Sequence, residues 1–553
     1  MGPLTGWLNP SELRIGLGCM RLADGGAATI AAAATAGITV FDTARAYGEN
    51  ERLLGQALRE CGADGRARIV TKGGMVRPGG AWVPDGRAKA VRADCEASLA
   101  ALDGLAVDLY LLHVPDPRTP WPTSVRALAR LVDEGLVRRV GIANVNRRQL
   151  DEAMELAPVA AVQVALSPFD DRALRGGVVE RCEQLGLALI AHSPLGGPKR
   201  ARGIARRPGI AELATAHGVT AAEAALAWLL DLSPVVVPIP GATTPETAGS
   251  AARAATLSLG AGRRARRPMA SMRTDADVVL VMGIPGAGKS RVAAEYAQRG
   301  YLRLNRDERG GSLRRLAETL EEQLDAGTRR VVLDNTYLTR ASRHDVIEAA
   351  GRRGAAVSCI WLDTPLAQAQ ANMVERLLDR FDGALPVPQE LRELSRREPW
   401  LLAPTSQMRA ARELEPPAAD DGFAGVEQVP FARAPGGGRP GVFVAAAAAG
   451  HAAETPDAPH LVFDWNPDGD AAALDAAADR LAALVRGPVE RALCPHPAGP
   501  PTCWCRPPLP GLPLAFARAH GVDAARSLVV GTRPAHRTLA ATLGARYAEP
   551  GST

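Results

Sequence analysis

Short apolar runs alternate with amphipathic segments from the start of the chain. Eight runs stand out: Arg14–Gly18, Ile38–Thr43, Ala67–Lys72, Val107–His113, Arg138–Asn144, Ala160–Leu166, Leu187–Ser193 and Val235–Gly241. Each precedes a segment with helical spacing of its apolar positions. Eight strand–helix units in about 250 residues predict a closed parallel (β/α)8 TIM barrel. We place it over residues 1–260.

The rhythm changes after that point. The basic stretch Gly260-Ala261-Gly262-Arg263-Arg264-Ala265-Arg266-Arg267-Pro268 reads as a solvated tether over 261–273, or as a phosphate-attracting run. The apolar run Val278-Val279-Leu280-Val281-Met282 then ends in Gly283-Ile284-Pro285-Gly286-Ala287-Gly288-Lys289-Ser290, and a helix-forming segment follows. Strands at Arg330–Leu333 and Ala356–Leu362 and helices at Leu313–Ala326 and Gln368–Arg380 complete a second module over 274–414. The Pro/Gly/Ala-rich stretch 415–435 reads as a linker, although Val429–Ala432 also suits the second module. A third module, 436–548, has strands at Val442–Val444, Leu461–Phe463 and Leu528–Val530. The fold class is multidomain α/β: a TIM barrel, a P-loop NTPase α/β sandwich and a third α/β domain.

Composition sharpens this only in places. The length of 553 residues suits three or four domains, each with its own core. Lys+Arg 65 against Asp+Glu 60 leaves +5, which neither requires nor excludes nucleic acid. The apolar share is 46% with only 4% aromatic, so the core rests on Ala, Val and Leu. No run of 18 apolar residues and no leader pattern is present, which points away from a membrane and towards the cytoplasm. Five cysteines are scattered singly; three cluster with a histidine, as metal ligands do.

Barrels place their chemistry at the C-terminal ends of the strands. Those ends carry Asp42, Lys72, His113, Asn144, Gln163 and Ser193. The segments Phe41-Asp42-Thr43-Ala44 with Tyr47-Gly48, Val70-Thr71-Lys72 and Leu111-Leu112-His113 resemble the aldo-keto reductase family. Gly141-Ile142-Ala143-Asn144, Gln163, Ser193-Pro194-Leu195-Gly196 and Ile239-Pro240-Gly241 extend the resemblance. It implies a catalytic tetrad of Asp42, Tyr47, Lys72 and His113, a small-molecule carbonyl substrate, and NADPH (or NADH) bound without a Rossmann fold. The residue types agree. Tyr47 can donate a proton if Lys72, held by Asp42, makes its phenol more acidic. His113 suits a hydrogen bond to the substrate oxygen, and Asn144 and Gln163 suit a carboxamide. Ser193, Leu195, Gly196, Pro240, Gly241 and Glu246 fall in the cofactor-binding stretches. The cofactor-phosphate stretch departs from the pattern at Thr244 and Ser250, with Arg253 as a substitute cation.

Gly283–Ser290 matches G-x-x-x-x-G-K-[ST]. Gly283, Gly286 and Gly288 let backbone N–H groups converge on phosphate oxygens. Lys289 would reach the outer phosphates of ATP, and Ser290 would ligate Mg²⁺. The order of Asn305-Arg306-Asp307, Asp334-Asn335-Thr336 with Arg343, and Asn372 to Arg376 resembles the kinase domain of the polynucleotide kinase–phosphatase family. It implies that Asp307 is the general base and that Arg376, near a mobile lid, neutralises the transferring phosphoryl group. Asp307 also suits a helix cap, and Arg376 with Arg380 a solvated face. Tyr337 and Trp361 are the candidates for stacking nucleic-acid bases. The acceptor could be a nucleic-acid 5′-hydroxyl end or a metabolite hydroxyl.

In the third module Cys494-Pro495-His496 and Cys503-Trp504-Cys505 supply three thiolates and one imidazole, a closed set for structural Zn²⁺. With Leu528-Val529-Val530-Gly531, the loop resembles that of haloacid-dehalogenase-type phosphatases, which implies a HAD-like domain. Ala445-Ala446-Ala447-Ala448-Ala449 stands where the nucleophile aspartates belong, and Trp465, Pro507 and Thr532 replace the other motif residues. An aspartyl-phosphate route needs those carboxylates, so a phosphatase-like domain without phosphatase activity is expected, as a docking or stabilising module.

Overall fold

A computed structural model describes residues 7–22, 26–259, 275–433, 436–451 and 456–550. The expected tether 261–273 lies outside them. The chain forms two compact units, residues 1–268 and 269–553.

In the first unit all eight expected strands form: β1 Gly16–Gly18, β2 Val40–Asp42, β3 Arg68–Gly73, β4 Val107–Leu112, β5 Val140–Ala143, β6 Val159–Ala165, β7 Ala188–His192 and β8 Val236–Ile239. They pair in parallel in sequence order. Gly18 N donates to Pro240 O at 3.0 Å and joins the first strand to the last. Glycine at 18 permits this, because a Cβ there would lie 3.0 Å from Ile239 O. Val40, Val70, Leu109, Leu111, Ile190 and Val237 form an inner core with Trp7 and Leu8. Phe41, Ile69, Tyr110 and Leu112 face outward into the larger core shared with the helices. Alternate residues along each strand thus fill two separate cores. A hairpin, Met75–Val76 against Val83–Pro84, follows β3.

The second unit holds two parallel five-stranded sheets. The first consists of β9 Asp277–Met282, β10 Leu302–Leu304, β11 Arg330–Asp334, β12 Ala356–Asp363 and β13 Gly425–Pro430, in the order β10-β11-β9-β12-β13. The strand β13 corrects the expected boundary at 414. Residues 425–430 are not linker but the edge strand, in register with Ser358–Asp363. The second sheet consists of β14 Val442–Ala445, β15 His460–Trp465, β16 Val489–Cys494, β17 Leu528–Val530 and β18 Arg546–Ala548, in the order β16-β15-β14-β17-β18. This is a doubly wound arrangement with β14 central. The two sheets are not independent. One core joins Val374, Leu377 and Leu401 of the first to Phe443, Phe463 and Trp504 of the second.

Candidate active sites

At the barrel mouth β2 delivers Asp42 and β3 delivers Lys72, both buried. Lys72 Nζ donates to Asp42 Oδ1 (2.8 Å), Asp42 Oδ2 (2.7 Å) and Thr43 O (2.7 Å). Burial alone would lower the Lys72 pKa, but Asp42 and Tyr47 outweigh it and the pKa stands above its ordinary value. Tyr47 lies on a 3-10 turn, Arg45–Tyr47, just after β2. Its ring centroid is 5.3 Å from Lys72 Nζ. The expectation of a phenol made more acidic is corrected here. Burial raises the Tyr47 pKa, and Lys72 only partly offsets this. Tyr47 therefore holds its proton at neutral pH.

His113 follows β4, its ring 5.8 Å from that of Tyr47. Burial first, then Lys72 and His192, lower its pKa to about 3, so the imidazole is neutral. Its buried Nδ1 finds no hydrogen-bond partner among the described residues. Such an unmet atom fits a site that a ligand completes. Asn144 and Ser193 end β5 and β7 with φ of 57° and 52°, in the left-handed region. Strain of that kind persists where surrounding structure imposes it, often at functional sites. Asn144 donates to His113 O (3.0 Å), and its Oδ1 lies 3.0 Å from His192 Nε2. Gln163 Nε2 donates to Asp42 Oδ1 at 2.7 Å, so this amide serves the ion pair as well as any carboxamide. Gly196 turns at φ 80° with Leu195 packed on the core beside it; Pro240 and Gly241 close the barrel seam.

Thr244 caps the helix Pro245–Ala254, whose first turn carries the exposed Glu246. Arg253 is an ion-pair partner of Glu223 (2.8 Å), which also accepts from Ser250 (3.0 Å). Sequence reasoning missed two neighbours. Trp82, on the hairpin loop, is 43% exposed and meets Tyr47 and His113 edge-on at 6.1 and 5.9 Å. His192 orients Asn144. An exposed tryptophan in a Pro/Gly-rich loop, and a histidine at a strand end, were the available signals.

In the second unit Gly283, Gly286 and Gly288 adopt φ of 151°, 84° and 94° between β9 and the helix Lys289–Gln298. A Cβ on Gly286 would lie 2.3 Å from Ala369 O, so backbone packs where a side chain would stand. Asn372 donates to Gly286 O (2.8 Å) and Gln407 to Pro285 O (2.8 Å). Lys289 Nζ reaches Gly283 O (3.1 Å) and Ile284 O (2.9 Å). Burial lowers its pKa to about 8, against Asp334, with Arg376 adding to the shift and Asp307 opposing it. Ser290 is exposed at the second helical position. This glycine cradle with a half-buried amine fits a polyphosphate.

Asp307 sits in the first turn of a short helix, but Asn305 is the cap, accepting from Asp307 N at 2.7 Å. The capping alternative therefore does not hold for Asp307, whose half-exposed carboxylate pairs with Arg306 at 3.1 Å. Arg376 lies within electrostatic range of Asp307, Asp334 and Lys289. Arg380 instead pairs with Glu398 on the surface. Arg343 does not join them. It is buried, pairs with Asp421 at 2.6 Å and donates to Glu415 O, an internal latch. Tyr337 is fully buried and cannot stack on a base.

In the second sheet Cys494, His496, Cys503 and Cys505 gather their ligand atoms within 4.8 Å of one another. His496 Nδ1 is 3.2 Å from Cys505 Sγ and 3.5 Å from Cys494 Sγ. Among the described residues this is the one His/Cys/carboxylate group able to hold a metal, and its donor set fits tetrahedral Zn²⁺. At the C-terminal end of β14 the alanine run is largely buried. Trp465 there donates to His496 O (2.8 Å), and Thr532 N donates to His536 Nδ1 (3.1 Å).

The first unit is thus a parallel β/α barrel with an Asp–Lys ion pair, a tyrosine and a neutral histidine at its mouth. The aldo/keto reductase family model matches residues 14–261, and an AAA domain model matches residues 278–397. A probable aldo-keto reductase from Glycine max is 33% identical over 271 residues, 42% of this chain and 77% of that protein. Aldo-keto reductase str7 from Strobilurus tenacellus is 31% identical over 242 residues, 38% and 70%. An aldo/keto reductase structure from Klebsiella pneumoniae, in complex with NADP and acetate, is 29% identical over 44% of this chain and 86% of that one, with a TM-score of 0.39. The chain belongs to the aldo/keto reductase family, and a P-loop domain follows the barrel in the sequence.

Proposed function

We propose that the chain is bifunctional: an NAD(P)H-dependent carbonyl reductase joined to an ATP-dependent P-loop phosphotransferase of polynucleotide-kinase type. The observation that carries the first half is the buried Asp42–Lys72 pair facing Tyr47 beside a neutral His113. The nicotinamide, when bound, supplies the reducing equivalents. Tyr47 holds the proton that the carbonyl oxygen needs, and Lys72 offsets the charge left on the phenol. His113, uncharged, orients the substrate oxygen without competing as an acid. Asn144 and Ser193 hold the cofactor at the strand ends. With Arg253 engaged by Glu223, NADPH and NADH are both accepted. Tyr47→Phe tests the assignment. Reduction of an aldehyde panel should fall by at least about 10²-fold, while cofactor binding, read by quenching of protein fluorescence, persists. Retained turnover would reject it.

For the second half, ATP with Mg²⁺ would lie on Gly283–Ser290, with Asp307 as base on the acceptor hydroxyl and Arg376 offsetting phosphoryl charge. The resemblance to polynucleotide kinases implies 5′-hydroxyl nucleic-acid ends as acceptor, with a metabolite hydroxyl as the alternative. Labelled ATP with 5′-hydroxyl oligonucleotides tests this, and transfer only to small hydroxyl compounds would reassign the acceptor. The second sheet is a HAD-like domain that holds structural Zn²⁺ and has no phosphatase activity, because alanines replace its nucleophile. Eight unpaired cysteines accord with a cytoplasmic setting.

A further inference from the structure

The helix Leu366–Arg380 divides its faces between two tasks. Ala369, Asn372 and Arg376, spaced by three and four residues, form one stripe. Ala369 O and Asn372 abut Gly286, and Arg376 lies within range of Asp307 and Asp334. The opposite stripe, with Val374, Leu377 and Leu378, is buried in the core shared with the second sheet. The segment beyond it continues the link. Arg376 Cζ stacks 4.5 Å over the ring of Trp400. Leu401, next in the chain, is fully buried in the same core. Leu402 O accepts from Trp504 Nε1 at 2.9 Å. Trp504 is itself buried between Cys503 and Cys505.

We infer that the C-terminal domain acts as the splint of the P-loop site: Trp504 and Trp400 are positioning residues that hold Arg376 where it meets the phosphates. The segment expected to be a free lid is, on this view, docked by its far side. A domain without phosphorus chemistry of its own then has a task in the neighbouring site. The inference rests on reading Gly283–Ser290 as a nucleotide cradle.

The test is calorimetric titration of the full chain with Mg²⁺ and ATP, using Trp400→Leu, Trp504→Phe, Arg376→Ala and the double variant Arg376→Ala/Trp400→Leu. Loss of the stacked ring is expected to weaken ATP binding about threefold to tenfold. Trp504→Phe should weaken it in the same direction, with a somewhat lower melting temperature and unchanged metal content. The double variant should bind no more weakly than Arg376→Ala, because Trp400 acts through that arginine. Additive losses, or wild-type affinity in Trp400→Leu, would overturn the inference while leaving the nucleotide reading intact. If Trp504→Phe loses metal, Trp400→Leu, which lies outside the Cys494–Cys505 loop in sequence, decides. A wild-type chain that binds no ATP would reject the nucleotide reading, and this inference with it.

Discussion

Burial acts on Tyr47 and His113 in opposite directions along the pH scale, with one consequence. The phenol stays protonated because its pKa is raised, and the imidazole stays neutral because its pKa is lowered to about 3. Neither group changes charge near neutrality. The rate of carbonyl reduction, as kcat/KM, should therefore be flat from about pH 5 to about pH 9. A limb near pH 6.5, the ordinary histidine value, would contradict the placement of His113. Lys289 behaves otherwise. Its pKa in the free protein is about 8, below the usual lysine value, and phosphate binds the charged form. Binding must therefore take up a proton once the pH passes that value, so ATP affinity should weaken steadily from pH 8 to pH 10. Constant affinity over that range would show that the amine does not face the phosphates.

Single residues also mark what a sequence discloses. Asp42, Lys72 and His113 were legible because buried ionisable groups at barrel strand ends are costly without a task. Arg343 was not: it stood in the motif order without a role, and its partner Asp421 lies 78 residues on, where only the fold brings them together. The acidity of Tyr47 was misread because burial, invisible in one dimension, outweighs a charge that the motif displays.

Elements were legible where their pattern was strongly apolar. All eight barrel strands appear, with bounds that differ from the expected ones by at most two residues at either end. The strand β13 was hidden because Gly425, Glu427 and Gln428 face solvent on a sheet edge and carry no apolar periodicity. The phosphate loop depends on an element distant in sequence. Gly286 packs on Ala369 of the helix Leu366–Arg380, so Gly286→Ala must push loop and helix apart. ATP affinity should fall at least about tenfold, some 1.4 kcal/mol, with carbonyl reduction untouched. Unchanged affinity would mean that this glycine is not part of the cradle.

At the scale of the whole molecule, the chain divides into two compact units, one with the barrel and one with the glycine loop. The second unit joins two sheets through one core, which the expectation of separate domains did not anticipate, because the helix Leu366–Arg380 has one stripe for each sheet. The Cys494–Cys505 cluster lies in that unit, and metal binding to such a set is itself folding energy. Cys503→Ser should therefore lower the metal content and the melting temperature of the second unit, while the barrel transition stays in place. A shift in the barrel transition instead would contradict the division.

Among the described residues no single helix is long and apolar enough to cross a membrane. The central claim is that two sites act in one chain, each on its own residues. The measurement that tests it is a crossed assay of Tyr47→Phe and Lys289→Ala, with carbonyl reduction and ATP binding read on both. The account predicts that Tyr47→Phe loses reduction alone and Lys289→Ala loses ATP binding alone. Full carbonyl reduction in Tyr47→Phe, or undiminished ATP binding in Lys289→Ala, would contradict it.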